Sequence, residues 1–109
     1  MASNSTGLQE NVAGALSYLF GWITGIIFYL LEPNKPFVRF HAVQSIITFG
    51  ILTILIFIIS WIPVLGWILS FVIWAIWIIL WLVLMIKAYQ GERFKLPVIG
   101  DMAEKFASK

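Results

Sequence analysis

His41 and Ser45 are four residues apart, so on a helix they share one face a turn apart. A base beside a hydroxyl is the core of nucleophilic catalysis, but the base must also be held by an orienting group. Between Arg39 and Lys87 there is no Asp or Glu to do this. The same stretch rules out paired-carboxylate chemistry. One histidine and no cysteine leave no ligand set for a metal or a haem. No glycine-rich phosphate loop is present. No residue is therefore assigned a catalytic role, no cofactor or metal is expected, and the chain does not read as an enzyme. His41 could still titrate or shuttle a proton, although a hydrogen bond to a loop carbonyl is the simpler reading.

The elements that carry these residues follow from where charge is absent. Of 109 residues 61% are hydrophobic and 11% charged, against about 25% charged in a soluble domain. So few charges exclude a water-soluble body, and a net charge of +2 gives no sign of a nucleic-acid partner. Twenty-one uncharged residues separate Glu10 from Glu32, and forty-seven separate Arg39 from Lys87. A bilayer core about 30 Å thick takes about 20 residues of helix. The first gap fits one span, 12–31. The second fits two, 40–62 and 64–86, joined by an outer turn at 63–66 where Pro63 and Gly66 break the helix. Apolar runs such as 46–52 do not alternate, which excludes barrel strands.

The expected fold is thus an all-α membrane protein, a single membrane domain of three transmembrane helices plus a C-terminal interfacial amphipathic helix. Residues 1–11 lack Lys and Arg and do not form a signal peptide. Thr6 to Gln9 fits a capping box, and Asn4-Ser5-Thr6 matches a glycosylation sequon of little weight. All seven basic residues fall in the loop 32–39 or the tail 87–109. The positive-inside rule then places the N-terminal tail outside and the C-terminus in the cytoplasm of a cell-membrane protein. Within the tail, residues 97–108 read as an amphipathic helix: Val98, Ile99, Met102 and Phe106 share a face. That face could lie on lipid or fold back on the protein.

Polar groups inside spans usually turn towards other helices or a cavity. His41, Gln44, Ser45 and Thr48 line one face of span two, and with Glu32, Arg39, Tyr89 and Gln90 they could form an inner polar vestibule. Gly14, Ser17, Gly21, Thr24 and Gly25 form a small-residue face on span one, suited to close packing on span two. Trp67, Trp74 and Trp81 recur every seven residues with Trp77 beside them. This stripe is either a packing surface or an aromatic wall for a lipid, ligand or partner helix.

Four segments, Glu10 to Gly14, Gly21 to Gly25, Arg39 to Ser45 and Pro97 to Asp101, together resemble the Tic-twenty-like family of small prokaryotic membrane proteins. That family is grouped with a component of chloroplast protein import. The resemblance implies a channel or translocon-like subunit. The expected function is helix-mediated assembly, as a homo-oligomer or with a membrane-protein partner. The alternative is a lipid-interacting, membrane-organising protein, in which case membrane lipid is the partner; a weaker one is an intramembrane enzyme or proton-linked carrier using His41.

Overall fold

The computed structural model describes residues 7–107. The Thr6 cap, the Asn4 sequon, the last residue of the 97–108 helix and Lys109 lie outside them. The described residues form five helices and no strand: α1 (Glu10–Leu16), α2 (Trp22–Leu31), α3 (Pro36–Ile59), α4 (Leu65–Tyr89) and α5 (Ile99–Ala107). Only α3 and α4 are long and apolar enough to cross a bilayer. Among the described residues there are thus two helices of spanning length, not the three expected.

The difference lies in residues 12–31, where two short helices replace one span. Asn11 Nδ2 donates to the Tyr89 carbonyl at 2.9 Å, at the foot of α4. Gly14 sits against Phe37 and His41, and Gly21 against Phe49 and Trp77. The chain then reverses. Gly25 lies against Ala42 and Ser45, and the Tyr29 carbonyl receives Arg39 Nη1. So α1 climbs from the Tyr89 end to about the middle of α3, and α2 descends antiparallel to α3. Gly21 makes the reversal possible with φ 62° and ψ −131°, a backbone region that glycine enters without a Cβ penalty.

The hairpin opens and closes at one end of the molecule. Lys35 Nζ donates to the Leu8 carbonyl there. The start of the described chain thus shares an end with Lys35 and Tyr89. An N-terminus on the opposite side from the basic residues required an unbroken span, and the turn at Gly21 removes that requirement.

Two further reversals share one local design. Before α4 the chain reads Ile62-Pro63-Val64-Leu65-Gly66, and before α5 it reads Leu96-Pro97-Val98-Ile99-Gly100. Val64 and Val98 have φ of 62° and 65°. Leu65 N–H donates to the Pro63 carbonyl at 2.7 Å, and Ile99 N–H to the Pro97 carbonyl at 2.6 Å. Each is a γ-turn of positive φ, a strained form that β-branched residues rarely adopt. In both, the following glycine donates to the residue before the proline, which starts the helix. Because α3 begins at Pro36, with proline suited to a first turn, and α4 runs on to Tyr89, the two long helices extend beyond the expected spans at their inner ends.

After α4 the chain doubles back. Residues 92–96 run along α3 without helical structure, and α5 then returns beside it. Ala103 of α5 is buried with Phe40 and Val43, flanked by Tyr29 and Ile47. Of the expected apolar face, only Ile99 turns towards the protein. Val98, Met102 and Phe106 remain exposed. The small residues Gly100 and Ala103 provide the packing face.

Candidate functional site

The inner half of α3 is the polar centre of the molecule. His41, Gln44 and Ser45 are fully buried there, and Thr48 nearly so. Each of the first three bonds to backbone that no helix satisfies. Ser45 Oγ donates to the Gly21 carbonyl at 2.7 Å. Gln44 Nε2 donates to the Phe94 carbonyl, while its Oε1 accepts the Leu96 N–H, both at 2.9 Å. His41 Nε2 lies 2.9 Å from the Glu92 carbonyl.

The direction of these bonds fixes the histidine. A carbonyl only accepts, so Nε2 carries the proton, and the neutral ring then offers Nδ1 as an acceptor. The Tyr18 hydroxyl sits 2.7 Å from Nδ1 and donates to it. Tyr18 in turn accepts from Gln44 Nε2 at 2.9 Å. A continuous relay runs from Gln44 through Tyr18 and His41 to the Glu92 carbonyl. Phe37 and Phe40 place ring edges against His41 at 4.6 and 5.0 Å between centroids, closing the site to water.

The bend in the α1–α2 hairpin is satisfied in the same way. Its carbonyls at 17, 18, 19, 20 and 21 all find donors: Thr24 Oγ1, Gly21 N–H, Trp81 Nε1, Ile23 N–H and Ser45 Oγ. Phe20 N–H donates to Thr24 Oγ1 at 3.0 Å. Irregular backbone at membrane depth is tolerated only where protein supplies its hydrogen bonds. That is the chemistry this polar face performs.

The expected vestibule is not an open space. His41, Gln44 and Ser45 come together in a closed, dry cluster. His41 and Ser45 take different partners, so they do not form a nucleophile–base pair. Arg39 lies apart, stacked on the Tyr29 ring at 4.1 Å with Nε donating to the Ala107 carbonyl at the end of α5. Glu32 is buried as the C-cap of α2. Tyr89 and Gln90 are exposed at the foot of α4. Thr48 Oγ1 is buried without a hydrogen-bond partner among the described residues.

The small-residue face of 12–31 divides its tasks. Gly14 and Gly25 allow close approach to α3, Gly21 makes the turn, and Ser17 and Thr24 bond to hairpin carbonyls. In the tryptophan stripe, Trp77 packs on Phe49 at 4.9 Å and beside Trp74 at 5.2 Å. Trp81 bonds to Leu19, and Trp67 stays exposed near the outer turn. Tyr18 was missed from sequence because nothing in its spacing sets it apart from a packing aromatic. The segment 92–96 was missed because its contribution is backbone. Among the described residues no group of three or more His, Cys, Asp and Glu could hold a metal ion.

Residues 6–103 match the family described as the magnetosome magnetite crystal formation protein family. A UPF0132 membrane protein of Methanocaldococcus jannaschii is 58% identical over 107 residues, covering 98% of this chain and 96% of that protein. A second from that organism is 54% identical, covering 92% of this chain and 71% of its own length. One from Archaeoglobus fulgidus is 52% identical, covering 90% and 95%. No solved structure matches. These matches replace the resemblance to the Tic-twenty-like family, for which they give no support. Of the motifs that suggested it, the one around Gly21 makes the hairpin turn, and His41, Gln44 and Ser45 form the buried polar cluster that holds backbone.

Proposed function

This chain belongs to the magnetosome magnetite crystal formation protein family, and on that premise we propose that it is a non-enzymatic membrane protein working by helix-mediated assembly, as a homo-oligomer or as a subunit of a larger membrane complex. One observation carries this reading. The buried His41, Gln44 and Ser45 of α3 are committed to holding backbone, while the outer halves of α3 and α4 carry large exposed apolar side chains. Phe57 is 65% exposed and Phe71 78%. The working surface is then the outside of the helix pair. A pore would need several copies, because one copy encloses no polar path.

The α1–α2 hairpin is re-entrant in this reading, and the basic end faces the cytoplasm of a cell membrane with both ends of the described chain. The relatives' names state a membrane location and no activity. The family description speaks of magnetite crystals, but among the described residues no group of three or more His, Cys, Asp and Glu comes together, so the reading stays within the membrane. The test is crosslinking in native membranes through Phe57→Cys and Phe71→Cys. Assembly predicts discrete multimers, and monomers alone at both positions would overturn it.

A second reading, membrane organisation through lipid, is favoured by α5. Its exposed Val98, Met102 and Phe106 adjoin a basic end, an arrangement suited to anionic headgroups. Met102→Asp with Phe106→Ser should then weaken the preference for anionic vesicles without unfolding the protein. Unchanged preference would remove this reading.

A further inference from the structure

The hairpin stops at the level of Phe49 and Trp77, and this leaves a long groove beside α4. Its deep part is a hollow of about 580 Å³ between Leu19, Phe20 and Ile23 of the hairpin tip and Trp74, Trp77 and Ile78 of α4. It continues past Trp81 into a second hollow of about 350 Å³, walled by Ala15, Met85 and Ile86 and ending at Tyr89 and Gln90. From Trp74 to Tyr89 the helix rises about 22 Å at 1.5 Å per residue. Half of a bilayer core is about 15 Å. The groove therefore runs from the interface past the midplane.

Its chemistry has a direction. The side chains are apolar along the length and become polar only at the foot, at Tyr89 and Gln90, where Asn11 Nδ2 donates to the Tyr89 carbonyl. At mid-length Trp81 Nε1 donates to the Leu19 carbonyl at 3.1 Å and ties the two walls together. A partner helix, about 10–12 Å across with its side chains, cannot seat between walls joined in this way. A slender chain can lie over the joint.

We propose that this groove holds one hydrocarbon chain of a membrane lipid, with its headgroup at Tyr89 and Gln90 and its chain end at Trp74. The site does not depend on assembly, and its occupant completes the face that the short hairpin leaves open.

The test uses the full chain in phosphatidylcholine vesicles containing traces of two photoreactive phosphatidylcholines. One carries a diazirine at the end of an acyl chain and the other carries it near the headgroup. Adducts are mapped by mass spectrometry. The chain-end probe should label Trp74 and Ile78, and the headgroup-proximal probe Met85, Ile86 and Tyr89, each several-fold above Ile76 and Ile79. Those two are comparably exposed but lie outside the groove. Ile78→Trp should fill the deep end and abolish chain-end labelling there, while Ile79→Trp should leave it intact. Equal labelling inside and outside the groove would reduce the lipid to an ordinary annulus and overturn the proposal. A crosslink to a second copy at Trp74 or Ile78 would overturn it in favour of a protein occupant.

Discussion

The Tyr18 hydroxyl donates to His41 Nδ1 at 2.7 Å across 23 residues, joining the bend of the α1–α2 hairpin to the inner half of α3. Through His41 Nε2 the same link reaches the Glu92 carbonyl. Two segments that leave helical geometry are thus held by one pair. Tyr18→Phe keeps the ring but removes both the donor to His41 and the acceptor of Gln44. A loss of about 1–3 kcal/mol is expected for a buried partner left unpaired, measured by reversible unfolding in detergent or bicelles. Stability unchanged within error would mean that the relay adds nothing to the fold.

Gln44 closes in both directions on the segment after α4. Gln44→Leu, of similar volume, strands the Phe94 carbonyl and the Leu96 N–H. Hydrogen exchange at the Leu96 amide should accelerate strongly, with smaller changes in α4. Since the segment leads into α5, exchange in 99–107 should rise with it. Protection at Leu96 that survives the substitution would show that α5 packing alone holds the segment.

The glycines separate by environment. Gly21→Ala forces a Cβ into a positive-φ position 3.1 Å from Phe49 Cβ, and strain of this kind costs on the order of 1–3 kcal/mol. Gly25→Ala sets a Cβ 2.9 Å from the Ala42 carbonyl oxygen, with backbone on both sides unable to yield cheaply. Gly50 has nothing within 4 Å, so Gly50→Ala should stabilise α3 by roughly 0.5–1 kcal/mol through helix propensity. Comparing the three melting points checks the order, and a Gly21→Ala protein as stable as the parent would argue against the hairpin turn.

Accessibility labelling tests the arrangement of the ends. Gln9→Cys and Gln90→Cys should react with an impermeant maleimide from one side of the membrane, and Trp61→Cys from the other. A Gln9→Cys protein labelled from the Trp61 side would restore an unbroken first span.

At the surface, Lys95 Nζ donates to Glu104 Oε1 at 2.7 Å and pairs with Asp101 at 3.5 Å. The hydrogen bond to Glu104 holds the Lys95 ammonium above its ordinary lysine value. A raised value in the folded state means that the contribution is fully present below the unfolded value. It is lost as the pH rises through the folded one. Protection of α5 should therefore weaken only on strong alkalinisation, and Lys95→Gln should abolish that step. An alkaline step that persists in Lys95→Gln would assign it to another group.

The long helices were legible because forty-seven uncharged residues broken by Pro63 allow little else. The polar face of α3 was legible by its spacing. The reversal at Gly21 was not, because a re-entrant hairpin and a full span bury equally apolar side chains and hydropathy cannot separate them. Reading residues 12–31 as one span assumes a straight helix. The buried cluster was half visible: His41, Gln44 and Ser45 declare a polar face, but apart from the Tyr18 hydroxyl their partners are carbonyls and one amide, which carry no sequence signature. The two γ-turns did leave a trace in the repeated Pro-Val pair followed two residues on by glycine, at 63–66 and 97–100.

In the proposed topology the described chain starts and ends at the basic side, and little of it has to be translocated during biogenesis. Of the described residues, the stretch between α3 and α4 then reaches the far face, and from Ser60 to Leu65 it holds no charged side chain. Membrane insertion then amounts to pushing the uncharged residues 40–86 of the α3–α4 hairpin across, with no Lys or Arg to desolvate. The α1–α2 hairpin and α5 can follow from the same side, docking onto α3 once its polar face is in place.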